Sequence, residues 1–201
     1  MSNNLSYFKH IYIDNKADKT LVLLHGTGGD EHDFLFLDQQ LSKNYNLLGL
    51  RGNVDEQGMN RFFRRLSFGN FDQDNIKEET AKLKEFIEAW QKEHVEELTF
   101  LGYSNGANML LATLFYYPEM INKVALLHSM LPFQISPNTI NLSKHTILMT
   151  YGAQDPMATI EESNKVITTL KSMRAQLTVK EYPSGHGIRD QEIEDIIAFL
   201  L

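Results

Sequence analysis

Gly102-Tyr103-Ser104-Asn105-Gly106 joins the apolar run LTFLG to the helix-forming run NGANMLLATLFYY. A serine between two glycines at such a junction occupies a sharp strand-to-helix turn, with a strained backbone and a hydroxyl lifted clear of the sheet. A side chain at either glycine would collide with neighbouring backbone. The helix that follows offers free N–H groups and the positive end of its dipole, both of which favour developing negative charge. Such a turn needs a strand set in a sheet and a helix packed on that sheet. It therefore restricts the whole chain to an α/β arrangement.

The rest of the sequence has the pattern this demands. Strands are predicted at 10–14, 20–26, 46–52, 98–104, 123–129, 146–152 and 177–183. The middle five are apolar at nearly every position, as in parallel strands covered on both faces. The first alternates, which suits an edge. Helices are predicted over 75–93, 105–117, 159–173 and 189–201. The first of these places Ile76, Leu83, Phe86, Ile87 and Trp90 on one face, with Asp74 or Asn75 as its cap. The run 105–117 is apolar around most of its circumference and is expected to be buried. Alternating strands and helices imply a mainly parallel sheet with helices on both faces, whose sites lie at the carboxyl ends of its strands. No repeat or linker divides the chain, so residues 1–201 are read as one domain. The stretch 51–71, RGNVDEQGMNRFFRRLSFGNF, is too long for a simple connection and is read as a functional loop or short helix.

Composition removes several function classes. Lysine and arginine total 19 against 26 aspartates and glutamates, so the basic excess of a nucleic-acid binder is missing. There is no cysteine, which excludes a disulfide, a thiolate metal site or a cysteine nucleophile and fits a reducing cytoplasm. The N-terminus lacks the basic start and apolar run of a secretory signal. No stretch approaches the roughly 18 apolar residues of a membrane span. The expectation is a cytoplasmic protein whose partner is a small molecule, with neither nucleic acid nor membrane involved.

Every chemical motif follows a predicted strand. Leu24-His25-Gly26-Thr27-Gly28-Gly29 comes after TLVLL. In folds built on the glycine-serine turn, such a loop supplies one oxyanion donor and the residue after the nucleophile supplies the other. These are assigned to the backbone N–H groups of Thr27 and Asn105. A phosphate loop would need a different glycine spacing. Serine is a weak nucleophile and needs an adjacent base; in this arrangement serine precedes the acid and the acid precedes histidine. Asp155 follows TILMTYG, and His186, in Ser-Gly-His-Gly, follows LTVKEYP, so they are read as acid and base. His25 is expected to order its loop, and His128 to be a packed, hydrogen-bonded neighbour of the site. His145 begins a strand at the wrong end. His10, His32 and His94 are assigned to solvent. No cluster of His, Asp and Glu has convincing ligand spacing, so neither metal nor cofactor is expected.

The long insert offers candidates for substrate contact. Met59, Phe62, Phe63, Leu66 and Phe68, with Arg61, Arg64 and Arg65 among them, read either as a loop or short helix that packs Phe inward and solvates Arg outward, or as one wall of an acyl or aryl pocket. A helical turn at 62–63 would send one ring to the core and the other to the mouth. In the pocket reading one arginine, Arg64 among the candidates, binds a substrate carboxylate, for which a planar guanidinium is suited; Arg51, at a strand end, is read either as such a partner or as an ion pair with the loop carboxylates.

The set LHGTGGDE, LGYSNGA, YGAQDP and SGHG, in this order, resembles the phospholipase/carboxylesterase family of α/β-hydrolases, which includes acyl-protein thioesterases. The resemblance runs over nearly the whole chain. RGNVDEQGMNRFFRR resembles a bacterial branch, the MhqD-like carboxylesterases. It departs from the thioesterase pattern, which has a Pro-rich stretch there and commonly Gln where this chain has Asn105. The resemblance implies an α/β-hydrolase fold without a large cap, and a cofactor-free hydrolase of small to medium carboxylic esters or thioesters. The alternatives are a dienelactone-type lactone hydrolase, which usually carries a cysteine nucleophile, and a non-catalytic ligand-binding module, which generally loses a triad member.

Overall fold

A computed structural model describes residues 4–136 and 140–201; the first three residues of the N-terminal stretch read above lie outside it. In chain order, β1 (His10–Ile13) and β2 (Lys19–Leu24) lead to a single helical turn, α1 (Asp38–Leu41), and then to β3 (Asn46–Leu50). The long insert follows. It contains neither an irregular loop nor a helix but two small hairpins, β4 (Val54–Glu56) with β5 (Met59–Arg61), and β6 (Arg65–Ser67) with β7 (Asn70–Phe71). Next come α2 (Gln73–Glu93), β8 (Glu97–Tyr103), α3 (Asn105–Tyr116), β9 (Lys123–Leu127), β10 (Thr146–Gly152), α4 (Ile160–Ser172), β11 (Gln176–Tyr182) and α5 (Asp190–Leu200).

Seven strands form one sheet in the order β1-β3-β2-β8-β9-β10-β11. Only β1 runs antiparallel, at the edge that its alternating pattern predicted. The order reverses around β2 and β8, so the first crossovers and the later ones lie on different sides of the sheet's centre. In β2, Val22 and Leu24 enter one core while Leu21 and Leu23 enter the other. That division explains the unbroken apolar run at residues 21–24: both faces are covered. The larger core takes in α2, α3 and α4, and the smaller one takes in α1 and α5. This is the α/β-hydrolase fold, with no large cap.

Helix α3 is buried along nearly its whole length, as predicted. The cap of α2 is one of the differences from the sequence reading. Asp72, rather than Asp74 or Asn75, accepts the N–H of Asn75 at 3.1 Å, and the helix begins at Gln73, two residues earlier than predicted. His10 and His94 pack on Trp90, with ring centroids 5.9 and 3.9 Å away, and are not purely solvent-facing. His32 is exposed. Among the described residues, no helix is long and apolar enough to cross a membrane.

Candidate active site

The loops at the carboxyl ends of the strands are laced together by backbone hydrogen bonds. Ser104 N–H donates to Leu127 O at 2.8 Å, Gly106 N–H to His25 O at 3.1 Å, and His128 N–H to Thr150 O at 2.9 Å. Farther along, Ala153 N–H donates to Tyr182 O at 2.8 Å and Gln154 N–H to Ser184 O at 2.9 Å. These bonds fix the side chains on the loops relative to one another.

Ser104 has φ 50° and ψ −111°, a conformation that costs a non-glycine residue on the order of 1–3 kcal/mol and persists only where the surroundings enforce it. The enforcement is visible at the flanking glycines. A Cβ on Gly102 would stand 2.7 Å from Ala107 N, and one on Gly106 would stand 2.4 Å from Leu24 O. The backbone therefore has to pass too closely for any side chain.

His186 lies with Nε2 at 2.9 Å from Ser104 Oγ and Nδ1 at 2.7 Å from Asp155 Oδ2. An ionised carboxylate only accepts, so the proton sits on Nδ1 and Nε2 is free to accept from the serine hydroxyl. The second oxygen of Asp155 accepts the N–H groups of Met157 at 2.8 Å and Ala158 at 3.0 Å. Burial alone would raise the Asp155 pKa. The N–H of Ala158, the two imidazoles His128 and His186, and the N–H of Met157 outweigh burial and hold it below the ordinary carboxylate range. Tyr103 steadies the His186 loop, its hydroxyl donating to His186 O at 2.7 Å.

His128 is the neighbour that the sequence predicted, but its partners were not legible. Its Nδ1 stands 2.8 Å from the Asp155 oxygen that also serves His186, and its Nε2 stands 3.4 Å from the fully buried carboxylate of Glu192 on α5. Burial would lower the His128 pKa; the carboxylates of Glu192 and Asp155 overcome this and raise it. His25 is different. Its Nδ1 lies 2.6 Å from Gly26 O, and its Nε2 accepts from Gly52 N–H at 2.9 Å. Burial is the main reason that its pKa is lowered, so it stays neutral and holds the glycine loop in place. His145 immediately precedes β10, at the end of that strand opposite to Asp155.

The N–H groups of Thr27 and Asn105 donate to no protein group among the described residues. The Asn105 side chain faces the other way, its Oδ1 accepting Phe62 N–H at 2.7 Å. The hairpin β4–β5 also clamps the glycine loop. Gly28 N–H donates to Asn60 O at 2.9 Å, and Asn60 Nδ2 donates to Gly29 O at 2.8 Å.

Ser104, His186, Thr27 and Asn105 share a cleft of about 410 Å³, counting its open mouth. The insert does border it, through Arg61, Arg65 and Phe68 of the set that the sequence offered and not through Met59, Phe62, Phe63 or Arg64. Arg61, Arg65, Phe68, Gly69 and Phe71 line the cleft. Phe62 and Phe63 do not. Both are fully buried, because each side of the chain at this point is closed by a ring: Phe62 lies 4.8 Å from His25, and Phe63 lies edge-on to Phe71 at 5.3 Å. Met59 is partly exposed beside Gly28 and is not a cleft wall. Arg51 is occupied by Glu31 at 2.5 Å and Asp30 at 3.3 Å. Arg64 is mostly exposed and pairs with the capping residue Asp72 at 3.0 Å. As substrate contacts these five are corrected: Phe62 and Phe63 pack in the core, Arg51 and Arg64 form ion pairs, and Met59 lies at the surface. The missed signal was Gly58 and Gly69, each at positive φ in a tight turn between short runs, which marks hairpins.

Two clusters among the described residues have the donor types of a metal site. His128, Asp155 and His186 already satisfy one another through Asp155 Oδ2. In the other, Asp30 and Glu31 are engaged by Arg51, Lys9 and His32. Neither offers an uncommitted ligand set.

A phospholipase/carboxylesterase family model matches residues 11–201, and the chain belongs to that family. Among its relatives, the putative hydrolase MhqD of Bacillus subtilis (strain 168) is 37% identical over 189 residues, covering 92% of this chain and 94% of that protein. The crystal structure of the Bacillus cereus carboxylesterase superposes with a TM-score of 0.90 at 32% identity, over 100% of this chain and 98% of that one. A carboxylesterase from Mesorhizobium loti gives a TM-score of 0.89 at 28% identity, over 96% and 94% of the two chains. The protein is thus a hydrolase of the carboxylesterase type.

Proposed function

We propose that the protein is a serine carboxylesterase that cleaves small to medium carboxylic esters or thioesters through a Ser104–His186–Asp155 triad. The observation that carries this reading is the unbroken relay from Ser104 Oγ through His186 to Asp155 at 2.9 and 2.7 Å. His186 takes the hydroxyl proton as Ser104 Oγ attacks the substrate carbonyl. Asp155 holds the ring in the required tautomer and stabilises the imidazolium that forms. The N–H groups of Thr27 and Asn105 receive the oxyanion, and the loss of one such donor typically costs about 10²–10³ in rate. His186 then returns the proton to the leaving alcohol or thiol, and water repeats the sequence to release the acid. A non-catalytic binding module would not need this relay or the strained backbone at Ser104.

A panel of p-nitrophenyl esters of rising chain length, acyl-thioesters and small lactones defines the substrate range. Ser104→Ala should lower kcat by about 10³ or more with an unchanged melting temperature. A fluorophosphonate should label Ser104 in the wild type. Near-wild-type esterase activity in Ser104→Ala would overturn the assignment.

A further inference from the structure

The chain carries an excess of acidic side chains, yet no carboxylate lines the cleft that holds Ser104, among the described residues. The permanently charged groups in its walls are the guanidinium groups of Arg61 and Arg65. Both lean on one carboxylate. Arg61 Nε stands 3.3 Å from Glu56 Oε2, and Arg65 Nε stands 2.8 Å from Glu56 Oε1. Two cations share one anion, so the cleft wall keeps one uncompensated positive charge, opposite in sign to the protein as a whole.

The two arginines are held differently. Arg61 is buried and committed. Its Nη1 donates to Thr27 Oγ1 at 2.7 Å and its Nε to Phe63 O at 3.1 Å, which ties it to the glycine loop. Arg65 is anchored through Nε alone, and its side chain is 26% exposed. Among the described residues, Arg65 Nη1 and Nη2 have no partner. A guanidinium gripped at Nε presents its end-on pair of N–H groups, the edge that receives a carboxylate through two parallel hydrogen bonds. Around it, Phe68, Phe71 and Met130 supply apolar wall, which lowers the local dielectric and strengthens such a bond. An arginine serving only to neutralise Glu56 would be redundant beside Arg61.

Building on the serine-esterase reading, we propose that the enzyme selects esters bearing a free carboxylate a few bonds from the scissile carbonyl. Arg65, aimed by Glu56 and backed by the charge of Arg61, receives that carboxylate. The preferred substrates are then half-esters of short dicarboxylic acids or molecules of the same layout, in preference to neutral esters of equal length.

The test compares mono-4-nitrophenyl succinate with 4-nitrophenyl butyrate, in which a methyl group replaces the carboxylate, with spontaneous hydrolysis subtracted. The wild type is expected to favour the succinate ester by about tenfold in kcat/KM at low salt, mostly through KM, with the preference shrinking in 0.5 M NaCl. In Arg65→Gln the ratio should fall to near one, in Arg65→Glu below one, and Arg65→Lys should keep part of it; melting temperatures report whether each variant folds. Independently of any variant, glutarate should inhibit butyrate-ester hydrolysis competitively, and its uncharged diamide should not. A wild-type ratio at or below one, a ratio unchanged by Arg65→Gln, or equal inhibition by glutarate and its diamide would overturn the proposal while leaving the esterase reading intact. If the wild type hydrolyses neither ester, the esterase reading itself fails.

Discussion

His128 and His186 stand edge to face, their ring centroids 5.4 Å apart at 80°, and both direct Nδ1 to Oδ2 of Asp155. One carboxylate oxygen thus serves two imidazoles. His128 is also faced by Glu192, at 3.4 Å, and by the edge of Tyr103, whose own pKa is pushed up to about 12 by burial and then by Asp155 and Glu192. With its pKa raised, His128 carries its second proton into conditions where a free imidazole has lost it. A raised folded-state pKa gives stability that is fully present below the unfolded value, about 6.5, and is lost as pH rises through the folded value. The double variant His128→Gln, Glu192→Gln removes the pair and leaves the Asp155 carboxylate held by His186 and the N–H groups of Met157 and Ala158. Urea unfolding should show the gap between wild type and this variant widest below pH 6.5 and narrowing toward pH 9. A gap constant with pH would mean that His128 is neutral.

Phe62 and Phe63 both belong to the core, so Phe62→Ala and Phe63→Ala should each cost about 3–5 kcal/mol in urea unfolding. Phe68 makes the contrast: it is 59% exposed and lines the cleft. Phe68→Ala should change stability by no more than about 0.5 kcal/mol and should shift the ester chain-length profile. A large stability loss at Phe68 with no change in profile would contradict the assigned positions.

Glu31 sits under the glycine loop with its carboxylate 3% exposed. Burial would raise its pKa, but hydrogen bonds from its own backbone N–H, Lys9 and Arg51, with the charge of Arg51, hold it at about 2. A depressed carboxylate pKa gives stability that is present above the unfolded value, 4.5, and lost as pH falls toward 2. Acid titration of Glu31→Gln beside the wild type should show their difference closing across that interval. A constant difference would mean that Glu31 is not held ionised.

What the sequence made legible was whatever a turn or a strand end specifies locally. The glycines around Ser104 declare the strained turn, Asp155 follows an apolar run, and His186 follows an alternating one, both predicted as strands. The structure brings the three within hydrogen-bonding distance. The apolar runs also declared a sheet covered on both faces, the arrangement that buries residues 20–24 of β2 and all of β3. The partnership of His128 with Glu192 was not legible, since 64 residues separate them and only the docking of α5 brings them together. The insert was misread for a related reason. Its aromatic pair suggested helical geometry, whereas Gly58 and Gly69 turn the chain back on itself twice and place Arg61 and Arg65 in the cleft, with Phe62 and Phe63 in the core.

The hydrogen bond from Phe62 N–H to Asn105 Oδ1 joins the insert to the residue directly after Ser104. The hairpins are therefore not an interchangeable module. Replacing them with the corresponding segment of a relative that carries another side chain after the matching serine would strand a buried donor on one side and a buried amide on the other, at about 1–3 kcal/mol for each unsatisfied group. Chimeras in which segment and partner residue travel together avoid that mismatch. New specificities in this scaffold are best sought by exchanging residues 51–71 and position 105 as one inherited block.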